Sequence, residues 1–397
     1  MFQTFKKFNH VKDSEIFKIE MALPAILAEI KLNGICVYKE EILEYKRECE
    51  FRLTKLLEEL QGIAQQEFSP ASNKETAAIL KNKYNITLPK TDKFNDTVEA
   101  EALAQYKIPF TEKLLEFREY NKQVNTYINN YQACWVHHDE QVRVHPDLWQ
   151  IGTVTGRMSC KNPNVQNVPT PIKRFIGAPK GKQWVFIDYS QIEYRLFAHY
   201  SHDVNLIKGY WQGEDYHQKT ADMLGIPRKK AKTINFGILY GMGSSTLAKR
   251  LEVTKEQAGQ LLQKYHENIE GLGILQRKLE SAMRSRGYIT TAYGRKLKCT
   301  DSWKRVNWLI QGTAVDIIKI ALIKVDAYLK KNAPEAKIVA VIHDELIIEL
   351  PEKWNAKVWL KEICALLYDG ISFSVPIEVN AAYTDHAWID KQEVVHE

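Results

Sequence analysis

Two acidic turns stand at the ends of apolar segments. In WVFIDYSQIEYR, residues 184–187 lead into Asp188, with Tyr189 beside it and Glu193 five residues on. In IVAVIHDELIIEL, residues 338–342 lead into His343, Asp344 and Glu345. A carboxylate taken into apolar surroundings without a partner is strongly disfavoured, so both need a cation. If the two strands are neighbours, Asp188 and Asp344 converge and can hold two divalent ions about 3.5–4 Å apart, the arrangement that stabilises attacking and leaving oxygens in phosphoryl transfer. Mg²⁺ suits such a site, because it takes oxygen ligands, keeps waters and binds through one or two carboxylates plus substrate phosphates. Either Asp taken alone reads more simply as a solvated turn residue.

A third group lies in PRKKAKTINFGILYGMG, residues 227–243. With Pro227 at a first turn, Arg228, Lys232, Phe236 and Tyr240 recur every four residues along one side of a helix, cationic first and aromatic after. Two cations near a helix N-terminus oppose the dipole unless an anion sits there, and a triphosphate supplies one, leaving Phe236 for a base or sugar. The alternative is a solvated basic helix with one aromatic core contact.

The elements that must position these residues are legible from periodicity. Residues 14–62 read as helical apart from LNGICV, with Ile42, Tyr45, Cys49, Leu53, Leu56 and Leu60 at spacings of three or four and Gly62 as the stop. FSPASNKETAAIL opens with turn residues and runs into a short helix, and helical patterns continue to about residue 131. From Trp135 the residues are of β type, leading into the strand WVFIDYS; residues 217–276 return to helix, and IVAVIHDELIIEL reads as a strand pair around a polar turn.

At 397 residues the chain exceeds one core, which stops growing at about 250–300 residues, so two or three subdomains are expected. Hydrophobic residues at 45% and charged residues at 26% exclude a collagen, a disordered tail or a bundle of membrane spans. No apolar run reaches the roughly 18 residues of a spanning helix, and the N-terminus lacks the apolar core of a secretory signal. The six cysteines have no CxxC spacing, which points to neither a zinc site nor a disulfide framework. A net charge of +6 is compatible with a polyanionic partner without requiring one.

In this order, DYSQIEYR, RKKAKTINFGILYG and VIHDEL resemble motifs A, B and C of the family A DNA polymerases, the bacterial DNA polymerase I class. TGRMSCKNPNVQNVP is similar to the family's TGRLSSxxPNLQNIP, GYITTAYGRK to its GYVxTxxGRR, and NWLIQGTAVDIIK to the motif before its last palm helix. FKIEMALPAILAEIKLNGICV resembles the start of its thumb, so the likeness covers nearly the whole chain.

The resemblance implies an α+β right-hand fold. An N-terminal extension at 1–16 is followed by a thumb and lead-in to the palm at 17–130, a palm at 131–206 and 301–397, and fingers at 207–300. It implies template-directed addition of dNTPs to a primer 3′-OH, with two Mg²⁺ ions, or Mn²⁺ in their place, held by Asp188, Asp344 and the Tyr189 carbonyl, and Glu345 as a supporting carboxylate. Arg228, Lys232 and His217 then hold the triphosphate, and Lys232 counts among the catalytic residues. Gln191, Phe236 and Tyr240 belong to the dNTP site, Glu193 fills the space of a ribose 2′-OH, and Phe236 in place of Tyr favours a 3′-OH. Arg157, Asn307, Gln311 and His343 face the DNA near the primer terminus, where donor side chains can meet the acceptors that every base pair presents in the minor groove. The expected partners are primed DNA and dNTPs, with no membrane, for a monomer that is cytoplasmic or nucleoid-associated if bacterial or phage, an organellar source being left open. About twenty residues precede the thumb, so neither a 3′–5′ proofreading domain nor a 5′-nuclease domain is expected on this chain.

The chain departs from the family pattern at Tyr194, where Leu is common, at Trp303, where Arg is frequent, and at YHENIEGL from Tyr265 in place of YFxxYPGV. Two other readings share the residues: a ribonucleotide-using nucleotidyl transferase on the same palm, and an inactive scaffold for primed DNA.

Overall fold

The computed structural model describes residues 14–90, 96–138, 141–239 and 241–394. The first helix, Glu15–Asn33, starts where the Ser14 side chain accepts from the Phe17 N–H and ends at Gly34, whose φ of 65° suits glycine. After the short strand Ile35–Val37, the helix Lys39–Ala64 runs through the expected stop at Gly62 and ends on Gln65 in the left-handed conformation. An interior glycine costs a helix only about 1 kcal/mol, and the burial of Ala64 one half-turn later keeps the helix going.

Ser72 caps the helix Asn73–Tyr84 by accepting from the Glu75 N–H, as the turn residues before it anticipate. That helix packs with Leu56, Leu60, Phe68, Phe110 and Leu114 into a separate small core. The helices Lys39–Ala64 and Pro109–Lys122 run along its sides, tied by Arg52 to Glu116 (2.8 and 3.0 Å) and Lys113 to Glu59 (2.5 Å).

The centre of the molecule is a five-stranded antiparallel sheet in the order Gln392–Val394, Val379–Thr384, Lys182–Tyr189, Glu345–Pro351, Lys337–Ile342. Its middle strand alternates between two cores. Val185, Ile187 and Tyr189 pack with the helices Ile192–Ser201, Arg305–Asn332 and Ala356–Tyr368, while Trp184 and Phe186 pack with Ile35, Val37, Ile172 and Trp388 on the other face. A sheet covered on both faces explains why its strands read as continuous apolar runs.

After the helix Ile192–Ser201, a succession of helices runs from Val204 to Arg286, a longer stretch than the 217–276 read from periodicity. The expectation of no span-length apolar helix needs correcting. Residues Ser302–Asn332 are long and apolar enough by composition, but 72% of the apolar window is buried inside the protein, where it serves as the central core helix. All six cysteines are free, five of them buried.

Candidate active site

The strand Lys182–Tyr189 pairs with Glu345–Pro351 so that Glu345 lies directly opposite Asp188, and the turn His343-Asp344 closes the hairpin to Lys337–Ile342. The two acidic turns of the sequence are thus one place. His343, exposed, takes a left-handed φ of 57° to make the two-residue turn, a strained choice for a non-glycine residue. Asp188 is half-buried on the Trp184 and Phe186 side of its strand, at the end where that core stops. Among the described residues its Oδ1 has no hydrogen-bond partner. Burial first, then the nearby charges of Asp344 and Glu345, push its carboxyl up to about 7, with Lys391 opposing. Glu345 is held by Lys391 at 2.6 Å.

A buried carboxylate oxygen without a hydrogen-bond partner, crowded by other carboxylates, suits a divalent cation. Among the described residues no cluster of three or more His, Cys, Asp or Glu side chains could hold a metal. A two-carboxylate site is instead what Mg²⁺ accepts when waters and phosphates complete its shell. Tyr189, whose carbonyl is the third expected ligand, is buried and its hydroxyl donates to the Leu367 carbonyl at 2.7 Å, which fixes the strand end.

A cleft of about 510 Å³ opens beside this point. Arg157, Glu193, His343 and Asp344 line it together with Gln166, and Ile192, Val315 and Ile318 form its apolar wall. Sequence reasoning placed Arg157 against DNA and Glu193 against the sugar; the structure pairs the two with each other in an ion bridge. Gln311 is half-buried, and its Oε1 accepts from Thr155 Oγ1 at 2.5 Å, while Asn307, also half-buried, sits one helical turn earlier on Arg305–Asn332.

The third group of the sequence lies on the helix Arg228–Leu239. The anion expected at its start turns out to be supplied within the chain, for Arg228 Nε donates to Asp215 Oδ2 at 2.7 Å. The other oxygen of Asp215 caps the helix Tyr216–Leu224 by accepting from the His217 and Gln218 N–H groups. Lys232 follows one turn after Arg228, and Phe236 falls one turn further along the same helix; Tyr240 lies outside the described residues.

His217 was expected to reach phosphate, but its side chain is buried, 3% exposed. The Asn235 amide lies 2.9 Å from its Nδ1, and the Tyr194 ring meets it edge-on at 5.2 Å. Burial lowers its pKa, Lys232 and Arg228 adding to the effect while Asp215 opposes it. Gln191 is exposed, with a φ of 51°, just ahead of the helix Ile192–Ser201 that carries Glu193.

Four residues of this site were missed. Asp215 had a signal, as an N-cap type residue just before a helical pattern. Gln166 lay in a recognised motif without a role assigned to it. Asn235 and Lys391 had none, since each meets its partner from a different element.

The chain is similar to known proteins in sequence and in fold. The sequence profile of DNA polymerase family A matches residues 39–390. DNA polymerase I of Streptococcus pneumoniae (strain ATCC BAA-334 / TIGR4) is 30% identical over 91% of this chain and 45% of its own length. That of Aquifex aeolicus is 31% identical over 94% of this chain and 67% of its own, and the thermostable DNA polymerase I of Thermus aquaticus 32% identical over 95% and 48%. The chain thus spans about half the length of most of these relatives. Among solved structures, the POL domain of Pol1 from M. smegmatis, in complex with DNA primer-template and dNTP, superposes with a TM-score of 0.85 at 27% identity, covering 94% of this chain and 70% of that one. By sequence and by its α+β right-hand fold, the chain belongs to DNA polymerase family A.

Proposed function

We propose that this chain carries out template-directed DNA synthesis, adding dNTPs to a primer 3′-OH. The observation that carries the reading is the convergence of Asp188, at the end of one strand, and Asp344, in the turn that opens the neighbouring antiparallel strand, beside a cleft that also holds Arg157, Glu193 and His343. Two Mg²⁺ ions, or Mn²⁺ in their place, would be held by Asp188, Asp344 and the Tyr189 carbonyl, and would supply the acidity of the 3′-hydroxyl and the neutralisation of the leaving pyrophosphate. Glu345, anchored by Lys391, supports the two aspartates from the facing strand position. Arg228 and Lys232 hold the triphosphate, and for Arg228 this means exchanging Asp215 for phosphate, since both are anions. His217, buried on the same side, supports that face from beneath. Gln191, Phe236 and Tyr240 complete the dNTP pocket, and Glu193 excludes a ribose 2′-OH. Arg157, Asn307, Gln311 and His343 meet the terminal base pair.

In this reading 17–130 is the thumb and lead-in to the palm, 131–206 and 301–397 the palm and 207–300 the fingers. The partners are primed DNA and dNTPs, as in the M. smegmatis complex, for a monomer with a cytoplasmic or nucleoid-associated location like that of a bacterial relative.

The test is extension of a labelled primer on a DNA template with Mg²⁺, using dNTPs or rNTPs, for the wild type and Asp188→Asn. Growth with dNTPs alone, lost in the variant, is the expected result. Equal use of rNTPs would remove Glu193 as the gate, and DNA binding without extension would favour a scaffold.

A further inference from the structure

We infer that Arg295 is a positioning residue that clamps the two DNA-reading segments, the loop of Arg157 and the helix of Gln311, into one fixed arrangement; the inference rests on the polymerase reading above. Arg295 belongs to a buried quartet of two cations and two carboxylates. Its Nε donates to Asp316 Oδ1 at 2.7 Å and its Nη2 to Glu20, whose Oε1 also accepts from Lys319 Nζ at 2.6 Å. Thr291 Oγ1 donates to the second oxygen of Asp316 at 2.7 Å and accepts from the Arg295 N–H at 3.0 Å. The Asp316 and Lys319 side chains are fully buried and that of Arg295 is 10% exposed. The group joins the first helix, the loop after residue 287 and the core helix Arg305–Asn332.

Such a balanced, satisfied cluster is weak evidence for stability, because an apolar cluster of the same volume does as well; its distinguishing property is that it admits one geometry. That geometry is imposed on both reading segments. Gly156, next to Arg157, has a φ of 88°, and a Cβ there would lie 2.8 Å from Arg295 Nη1, so the guanidinium fills the hollow that the glycine leaves. Gly312, next to Gln311, is pressed in the same way, with a Cβ there reaching 2.9 Å from Leu297 Cδ1 and 3.1 Å from Thr291 Cγ2. The two segments then touch directly, through Thr155 Oγ1 and Gln311 Oε1. Neither Arg295 nor Thr291 lines the active-site cleft; both act through the residues that do or that stand beside it.

Arg295→Lys tests this, because an ammonium keeps the charge but can neither fork between Asp316 and Glu20 nor fill the hollow at Gly156. Single-turnover extension would be measured from matched and from mismatched primer ends, beside hydrogen exchange of the Gly152, Gly156 and Arg157 amides. The expected result is a loss of about 10- to 100-fold on the matched end, little change on the mismatched end, and faster exchange at those amides with the helix Ile192–Ser201 unchanged. Should Arg295→Lys not fold, Gly156→Ala, which disturbs the same contact from the other side while keeping all four charged residues of the quartet, is expected to give the same selective loss. Equal losses on both ends, or unchanged exchange in the loop, would overturn the inference. A wild type that binds primed DNA without extending it would sink the polymerase reading instead, and the exchange measurement would still decide the clamp.

Discussion

Asp188 is held at the end of a buried strand against its own solvation, and this has a consequence for stability as well as for chemistry. Its carboxyl is raised from 3.8 to about 7, by burial before all else. A carboxyl raised on folding contributes stability that is fully present below its ordinary value and is lost as pH climbs toward the folded one. Asn has the same shape and no charge. In metal-free buffer Asp188→Asn should therefore raise Tm slightly near about pH 4 and by several degrees at about pH 7.5. Thermal denaturation across that range checks it, and a pH-independent difference would show that carboxylate crowding is not the cause. The same variant should lose about 10³-fold or more in primer extension. At Glu193 the change runs in specificity. Glu193→Ala is expected to improve rNTP use relative to dNTP by about 10²-fold, read as the ratio of kcat/KM values, since a pocket that rejects one added hydroxyl achieves about that much. The aspartates are legible in sequence because an apolar run that ends in acid is unusual in itself. The Arg157–Glu193 and Arg228–Asp215 pairs are not, because nothing in one segment tells which charge another will present.

At the scale of elements, sequence periodicity locates the strands and helices well, and it fails where a glycine is read without its surroundings. Gly62 looks like a stop but lies inside the last turn of its helix, with open space where its Cβ would be. Gly271 lies in YHENIEGL, the segment that departs from the family pattern, and a Cβ there would come 2.3 Å from the Ser201 carbonyl oxygen. The helix Glu270–Arg286 therefore crosses the end of Ile192–Ser201 with backbone against backbone. The same substitution should have opposite signs at the two sites. Gly62→Ala is expected to stabilise by about 0.5–1 kcal/mol through reduced freedom of the unfolded chain, and Gly271→Ala to destabilise by about 1–3 kcal/mol through overpacking. Urea denaturation of both variants decides it, and equal signs would mean that the close approach at Ser201 relaxes without cost. The other departures have structural partners too. Tyr194 packs edge-on against the buried His217, and Trp303 lies against Gly241, just past the helix Arg228–Leu239.

At the scale of the whole molecule, the cores are unequal, and that decides which part opens first. The sheet and the helices around it share two large apolar clusters, whereas Leu56, Leu60, Phe68, Leu80, Phe110 and Leu114 belong to a small third one. A small core buries a smaller fraction of its surface and opens at lower free energy. Native-state hydrogen exchange should accordingly find the helix Asn73–Tyr84 exchanging through a sub-global opening, while the strand Lys182–Tyr189 and the helix Arg305–Asn332 exchange only on global unfolding. Leu80, fully buried, isolates the effect. Leu80→Ala should lower the opening free energy of the small core by about 2–5 kcal/mol and leave the sheet amides as they were. Primed DNA, if gripped between this part and the central sheet, should slow exchange in the Asn73–Tyr84 helix for wild type and variant alike, because a ligand that binds only the closed form raises the opening free energy by its own mass action. Exchange that rises equally in the helix and the sheet would show instead that the three clusters unfold as one unit and that the small core has no opening of its own.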